Sequence, residues 1–427
     1  MSETDTMALP TLTSTVTMAK DQGNLGALVM GADYRGLGVA RSLGRRGIPV
    51  WVLRQGGHLV ASTSRYVRRN VPWPTRDDRT EIDQLLRLGK NHGLKDWLLF
   101  PTDDHAVALI SRHHELLASQ YRISVPPWDQ LRFLCDKRLL HQTAGDLGIH
   151  QPWTRWPRTR EELGALDCPF PALLKPATKL RRYNLAHPKA WRVVDQESLL
   201  ARYDQAASLV GSGNLMVQEI VPGAGEGQVS YAAVCRDGSP LASIVVREKR
   251  QYPRDFGQFS TFVESVEEPR VIDPAVRLIK SLGFTGLVEI EFKQDPRNGQ
   301  FKILDVNPRV WGWHTLSRRA GVDFPHLLWL LLHGQTVPEA CGRPGVRWMH
   351  TTADVPVAIH DLMKGRLSFT SYLRSLKPPR ESAIFAWDDP APGFLDLPLL
   401  ACALGKRLLS RKETHAETGV SAADCQH

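Results

Sequence analysis

Short apolar runs alternate with helical patterns over the first third of the chain. The segments GALVMGA, IPVWVL and WLLFPTDDH each contain an apolar run typical of a buried strand. After the first run, RGLGVARSLGRRG has the spacing of a helix that ends at Gly47. After the third, the acidic pair Asp103 and Asp104 is suited to cap a helix that begins near Ala106. Strands that alternate with helices predict a parallel α/β layer over residues 26–125.

From residue 126 onward, one helical region is followed mostly by strands. PPWDQLRFLCDKRLLHQTAGDLGIHQP has helical spacing and then turns at Gly148 and Pro152. FPALLKPA predicts a strand that ends on Lys175, and LMVQEIVPGAGEGQVSYAAVC predicts two strands joined by a Gly-Pro-rich hinge. A helix in DPAVRLIKSLGF precedes TGLVEIEFKQDPRNGQFKILDVN, which predicts a β-hairpin that turns at Asp295–Gly299. This part of the chain is therefore expected to be α+β.

The predicted hairpin carries polar side chains at matching positions of its two strands. Side chains alternate between the faces of a strand, so Glu289 and Glu291 share one face, as do Asp305 and Asn307. A register that mixes polar with apolar positions is disfavoured where one face is buried. We therefore predict that Glu291 lies opposite Asp305 and Glu289 opposite Asn307, which gathers three carboxylates and an amide on one patch.

This patch has two interpretations on its pattern alone. Facing carboxylates repel unless a positive charge lies between them. Hard oxygen ligands suit Mg²⁺, which binds one or two carboxylates and completes its shell with phosphate oxygens and water. The alternative is a polar strand face in contact with solvent.

Two lysines are positioned where a phosphate group could be bound. Lys137 lies within a helical stretch next to Asp136, and Lys175 ends an apolar strand. A partly desolvated lysine at a strand end is a useful point charge for phosphate. Taken alone, each lysine is better explained as an ordinary surface residue than as a ligand.

The net charge narrows the choice of partners. Lys and Arg number 54 against 45 Asp and Glu, for a net charge of +9. A basic protein favours an anionic partner, which nucleic acid, an acidic membrane surface or a phosphorylated small molecule would each provide. A solvated basic surface without a specific partner is the alternative.

Length and cysteine content indicate a multidomain cytoplasmic protein. A chain of 427 residues is too long for one ordinary core, so two or three domains are expected. The six cysteines have no CxxC spacing, which argues against a zinc ribbon and for reduced thiols. Residues 1–25 lack the apolar core of a signal peptide and are expected to be disordered. FPHLLWLLLHG is too short to span a bilayer and predicts a buried helix.

The order of these motifs resembles that of the ATP-grasp superfamily. DK, LLKP, VQEIVPG, EIEF and ILDVNPR follow an α/β domain in the family's order over residues 26–335. Within the superfamily, the chain is most similar to predicted carboxylate–amine ligases, a group that includes D-aspartate ligases. The resemblance implies a Rossmann-like lobe at 26–125 and an ATP-grasp domain at 126–335, with a small central lobe at about 155–222. Residues 336–427 would then form a C-terminal extension.

The resemblance also implies a role for each motif residue. Lys137 and Lys175 would contact the ATP phosphates, and Lys175 and Arg309 would act on the transferred phosphate. The adenine hinge would comprise Gln218, Glu219, Ile220 and Val221, with Glu226 on the ribose. The ligands of Mg²⁺, or of Mn²⁺ as an alternative, would be Glu291, Asp305 and Asn307.

Two departures from the family pattern affect these expectations. Position 305 is Asp where Glu is usual, and Asp ligates Mg²⁺ equally well. The loop at 177–190, usually glycine-rich, has no glycine. Its basic side chains are candidates to replace backbone contacts with the phosphates: Lys179, Arg181, Arg182 and Lys189.

The implied activity is an ATP-dependent ligation of a carboxylate to an amine through an acyl phosphate, giving ADP and phosphate. The alternatives are a non-catalytic ATP-binding regulatory protein and a carboxylation like that of biotin carboxylase. The implied partners are small molecules rather than nucleic acid, without stable membrane insertion, and a homodimer is a candidate assembly. A basic-apolar helix predicted at 399–412 would pack, pair with another subunit or touch an anionic membrane surface.

The first glycine-rich turn has two further interpretations. Its spacing is GxxxxGxG rather than GxGxxG, and no acid ends the second strand, so dinucleotide binding is disfavoured. Arg35, Asp103 and Asp104 would be substrate-site residues in the resembled family. Helix caps and a turn are the alternative that we favour.

Aromatic and basic residues beside the motifs are also ambiguous. Trp311 and Trp313 would stack on a substrate or close the core, and packing is favoured for Trp313. Arg247, Lys249 and Arg250 would reach the cleft or line a solvated strand edge.

Overall fold

The computed structural model describes residues 25–55, 59–73, 77–178, 190–223, 227–252 and 259–399. The first sheet is entirely parallel, in the order β3-β2-β1-β4-β5. Its strands are β1 (Ala27–Met30), β2 (Val50–Arg54), β3 (Val67–Pro72), β4 (Trp97–Pro101) and β5 (Tyr121–Ile123). The helices between them are α1 (Tyr34–Gly44), α2 (Asp78–His92), α3 (Asp104–Arg112) and α4 (His114–Ala118). The predicted parallel α/β layer is confirmed.

Two aspartates cap the helices that follow the neighbouring strands β1 and β4. Asp33 accepts hydrogen bonds from the backbone N–H groups of Arg35 and Gly36, and Asp103 accepts one from Ala106. The helix α1 ends at Gly44 rather than at the predicted Gly47, because the N–H groups of Arg46 and Gly47 bond three residues back and tighten the turn.

The predicted single helix after residue 126 is in fact two helices, α5 (Trp128–Cys135) and α6 (Lys137–Asp146). Asp136 separates them in an extended conformation, and its side chain accepts a hydrogen bond from the Arg138 N–H. The backbone N–H of Lys137 donates to the Ala177 carbonyl. Lys137 therefore starts a helix instead of lying inside one.

A small antiparallel sheet follows, in the order β6-β9-β7-β8. Its elements are β6 (Thr154–Arg155), α7 (Arg160–Gly164), β7 (Ala172–Pro176), β8 (Trp191–Val193), α8 (Gln196–Val210) and β9 (Leu215–Glu219). Leu174 and Val217 on one face pack with Leu199 and Tyr203 of α8. Strand alternation therefore assigns Lys175 and Gln218 to the opposite face.

The third sheet has eight strands and is mixed, in the order β14-β13-β10-β11-β12-β16-β17, with β15 beside β11. Its first elements are β10 (Gln228–Arg236), β11 (Ser239–Tyr252), β12 (Phe259–Ser265), α9 (Ile272–Ser281), β13 (Gly286–Gln294) and β14 (Phe301–Asn307). The remaining elements are α10 (His314–Arg319), α11 (Phe324–Leu332), β15 (Ala340–Cys341), β16 (Arg347–Met349), α12 (Thr351–Met363), α13 (Phe369–Ser375) and β17 (Arg380–Ser382).

The aromatic residues after β14 belong to the core. Trp311 and Trp313 are each 1% exposed, their ring centroids lie 5.2 Å apart, and Trp311 also packs edge-on against Phe324. The packing prediction is confirmed for Trp313 and extends to Trp311. The helix α11 is mostly buried, as predicted, and no helix in the described ranges is long and apolar enough to cross a membrane.

Several predicted segments lie outside the described residues. They are the tail up to residue 24, residues 179–189 of the glycine-free loop with its four basic side chains, Glu226, and residues 400–412 of the predicted basic helix.

Candidate active site

The β13–β14 hairpin has the predicted register. Glu291 pairs with Asp305 and Glu289 with Asn307. The Asn307 amide Nδ2 donates to Glu291 Oε1 at 2.8 Å and to Glu289 Oε2 at 3.1 Å. The predicted patch of acids and amide is therefore assembled, and the amide lies between two carboxylates that would otherwise repel.

Three further strands of this sheet add side chains that the sequence analysis missed. Gln228 Nε2 on β10 donates to both Glu291 Oε2 and Glu248 Oε1, each at 3.1 Å. Ser260 Oγ donates to the other oxygen of Glu248 at 2.7 Å. The prediction for this segment named its basic residues, but the β11 register shifts at Lys249, and Glu248 joins the cluster. An isolated acid in the basic segment VVREKRQYP was the available signal.

The buried acids of this cluster resist ionisation. Burial raises the pKa of Glu248 to about 8, with repulsion from Glu291 as the second cause. Burial also raises the pKa of Glu289 well above its usual value, again assisted by Glu291. Desolvated like charges of this kind are stabilised by a cation, and carboxylate and amide oxygens are hard donors. Glu291, Asp305 and Asn307 offer such oxygens from paired positions at the end of the hairpin, and this donor set fits Mg²⁺.

The proposed metal ligands include only two carboxylates, so the Asn307 amide oxygen is needed as the third ligand. Among the residues that the structure describes, no group of three or more His, Cys, Asp or Glu side chains is arranged to hold a metal ion. Asp305 is bound by Lys137, whose Nζ lies 2.7 Å from Asp305 Oδ1. The Asn307 oxygen accepts from Arg309 Nη2 at 2.9 Å. A metal would compete with these two cationic side chains for the same oxygens.

Lys175 is held by Gln218, the first of the four predicted hinge residues. Lys175 Nζ donates to Gln218 Oε1 at 2.7 Å. Gln218 Nε2 donates to Thr154 Oγ1 at 3.0 Å and to His141 Nε2 at 3.2 Å. Burial lowers the pKa of His141 to about 4, so the imidazole is neutral and its Nε2 accepts. The Gln218 side chain thus holds Lys175, the predicted phosphate lysine, instead of pointing along the hinge.

Glu219, at the end of β9, lies in an ion-pair network. Its carboxylate accepts from Lys302 Nζ at 2.5 Å, Arg297 Nη2 at 2.8 Å and the Trp153 N–H at 3.1 Å. Burial alone would raise the pKa of Glu219, but the bonds from Lys302 and Arg297 outweigh it and lower the pKa. The Ile220 N–H donates to the Pro171 carbonyl, and Val221 is buried beside it.

Arg309 connects the hairpin to the first sheet. Its Nε donates to Asp104 Oδ1 at 2.6 Å, while Nη2 reaches Asn307. Asp103 caps α3 as favoured above, whereas the adjacent Asp104 holds the arginine. Arg35 forms an ion pair with Asp33, with Nη2 2.5 Å from Oδ2.

The basic residues of β11 do not form one group in the cleft. Arg247 Nη2 lies 3.5 Å from Glu268 Oε2, and Lys249 stands at the register shift. Arg250 forms a bidentate pair with Asp354 on α12 at 2.8 Å for both bonds. Arg250 is therefore neither a cleft residue nor a solvated edge residue, because a fully buried carboxylate binds it.

Comparison with known proteins finds similarity over the part of the chain that contains the acidic hairpin. A family model described as "ATP-grasp in the biosynthetic pathway with Ter operon" matches residues 212–352. The D-aspartate ligase of Enterococcus faecium (strain Aus0004) is 22% identical over 308 residues, which is 66% of this chain and 70% of the relative.

Solved structures share the fold. The L-amino acid ligase of Bacillus licheniformis has a TM-score of 0.57 at 14% identity, covering 72% of this chain and 74% of its own. The biotin carboxylase domain of the Hydrogenobacter thermophilus 2-oxoglutarate carboxylase, solved with MgADP and bicarbonate, has a TM-score of 0.58 at 16% identity, covering 76% and 73%. The N5-carboxyaminoimidazole ribonucleotide synthetase of Thermus thermophilus has a TM-score of 0.56 at 18% identity, covering 75% and 81%.

Proposed function

Because the chain is a member of the ATP-grasp superfamily, we propose that it is an ATP-dependent ligase that joins a carboxylate to an amine through an acyl phosphate. One arrangement carries the proposal: the phosphate lysines and the acidic hairpin border a common space. Lys175 is bonded through Gln218 to His141, which lies one helical turn after Lys137 on α6, and Lys137 pairs with Asp305 of β14. Charges from the central sheet, α6 and β14 therefore converge where a nucleoside triphosphate would place its phosphates.

The chain's own residues supply most of the charge that phosphoryl transfer needs. Such transfer depends on alignment and charge neutralisation rather than on covalent help from the protein. Lys137 and Lys175 would hold phosphate oxygens, and Arg309, fixed by Asp104, would stabilise the transferred group. When bound, Mg²⁺ would neutralise phosphate oxygens, with Glu291, Asp305 and Asn307 as the residues that hold it. Mn²⁺ suits the same donors.

Lys137 and Asp305 can each exchange the other for a ligand: a phosphate for the lysine and a cation for the carboxylate. Lys137 and Asp305 neutralise each other at 2.7 Å. When ATP enters, the lysine can turn to a phosphate, and the carboxylate becomes free to ligate a cation. The flexible four-carbon stem of lysine permits this turn without movement of the backbone.

The proposed reaction has two steps. A carboxylate oxygen of the first substrate attacks the γ-phosphorus, and ADP leaves with the bridging oxygen. The amine then attacks the carbonyl carbon of the acyl phosphate, phosphate leaves, and the nitrogen loses a proton. The names of the D-aspartate ligase and the L-amino acid ligase support an amino acid as one substrate.

A substrate-stimulated ADP-release screen tests this function. Purified protein with MgATP is given amino acids singly and in pairs, and ADP and amide products are measured. We expect ADP release that depends on a carboxylate and an amine together. Tight MgATP binding without stimulated release across the panel would instead favour the non-catalytic regulatory protein. Release that depends on bicarbonate would favour carboxylation.

A further inference from the structure

Two helices of the C-terminal extension expose a series of large apolar side chains. On α12, Val355, Ile359 and Met363 recur at four-residue intervals and are 37%, 52% and 82% exposed. On α13, Phe369 and Leu373 are 63% and 47% exposed. Side chains four residues apart lie on one side of a helix, so each helix has an apolar stripe. Exposed apolar clusters of this kind mark interaction sites.

The exposed surface of residues 351–380, which contain both helices, is strongly basic. All of the Lys and Arg residues in 351–380 are exposed, and they are Lys364, Arg366, Arg374, Lys377 and Arg380. Both acids of the segment, Asp354 and Asp361, are buried. None of the five basic side chains forms an ion pair with a carboxylate of the described residues. The outward charge of this stretch is therefore entirely positive.

A buried arginine fixes both helices to the third sheet. Arg250 forms its bidentate pair with Asp354 of α12, and its Nη2 also donates to Ser375 Oγ of α13 at 3.2 Å. The Arg250 guanidinium lies 5.2 Å from the centre of the Tyr372 ring. One side chain therefore anchors both helices to the same sheet. The exposed apolar side chains of the two helices and the five cations are here named the α12–α13 surface.

We propose that the α12–α13 surface docks onto an anionic lipid bilayer. Apolar side chains flanked by Lys and Arg are the pattern of helices that lie in a membrane interface, where the stripe enters the headgroup boundary and the cations meet acidic lipids. A second copy of the chain fits less well, since a symmetric contact would set five cations against five. The proposal concerns surface attachment only and is independent of the ligase reaction.

Vesicle cosedimentation of the full chain tests the proposal. Vesicles of phosphatidylcholine are compared with vesicles that also contain about 30% phosphatidylserine, near physiological salt. We expect binding to the anionic vesicles alone. In the variant R366A/R374A/K377A the partition coefficient should fall about 100-fold, because each cation near an anionic surface contributes roughly a fivefold gain. M363S/F369S should also weaken binding while the cations remain.

The matched control is R79A/R87A/K90A, which removes three exposed cations from α2. It should bind anionic vesicles as the unaltered chain does. The substituted side chains are all exposed, so each variant should keep the unaltered thermal unfolding curve. Equal loss in the control would show a non-specific charge effect and overturn the proposal. Absence of vesicle binding, or self-association that M363S/F369S abolishes, would overturn it as well.

Discussion

Lys137 Nζ and Asp305 Oδ1 lie 2.7 Å apart, although the two residues come from the start of α6 and the end of β14. The lysine is directed there because Asp136 interrupts the helical region and its carboxylate caps α6. The aspartate is directed there by strand alternation opposite Glu291. A helix cap and strand alternation, from segments far apart in the chain, therefore bring these two charges together.

Substitution of the proposed metal ligands should abolish turnover without unfolding the protein. D305A and N307A each remove an oxygen donor, and the loss of cation-assisted charge neutralisation should lower kcat at least about 100-fold. ADP release and thermal unfolding measure the two effects. D273A, at an exposed aspartate of α9, is the matched control and should retain full activity. Near-normal turnover in D305A or N307A would refute the metal assignment.

Substitutions of the neighbouring Asp103 and Asp104 should have different effects, the first on stability and the second on catalysis. D103A removes the cap of α3 and should lower the free energy of unfolding by about 1 kcal/mol, with kcat retained. D104N leaves Arg309 without its charged partner and should lower kcat roughly 10-fold or more, with little change in KM for ATP. Steady-state kinetics and urea unfolding test both variants. D104E should recover part of the lost kcat if positioning of Arg309 is the cause.

The buried Arg250–Asp354 pair should be costly to break on one side. R250M leaves a carboxylate with no solvent access and should reduce the free energy of unfolding by about 3–5 kcal/mol. The double variant R250M/D354L removes both charges and should lose less than R250M alone. Urea unfolding of R250M, D354L and the double variant gives the coupling energy, and simple additivity would contradict this interpretation.

The stability of the chain should fall between pH 6.5 and pH 4 because of buried histidine. Burial lowers the pKa of His314 to about 4, while its Nδ1 donates to the Trp311 carbonyl. The unfolded chain binds this proton near pH 6.5, so the folded state loses up to about 3 kcal/mol as the pH falls to 4. H314N can keep the donor to Trp311 without titrating and should show a shallower slope. Unfolding curves measured across this range decide the point, and an unchanged slope would exclude His314 as a source.

Much of the fold followed from local patterns. Sequence patterns predicted three of the five strands of the first sheet (β1, β2 and β4), the hairpin turn, and the pairing of Glu291 with Asp305. The pairing was predictable because side-chain alternation has a fixed period. The helix limits were less accurate. The predicted helix end at Gly47 was wrong because hydrogen bonds of the last turn of α1 end the helix earlier. The prediction of one helix through Asp136 was wrong because the Lys137 N–H bonds to the Ala177 carbonyl, where a new helix begins.

The sequence by itself determined the order of the motifs. It also determined which residues share a face of each strand, since side-chain alternation follows from covalent geometry. Only the tertiary structure decided that Glu248 and Gln228 join the acids, that Gln218 holds Lys175, and that Asp104 holds Arg309. These contacts join segments far apart in the chain, and a one-residue shift at Lys249 changes which side chain of β11 faces the cluster. Packing between sheets chooses among such alternatives, and no local pattern contains that information.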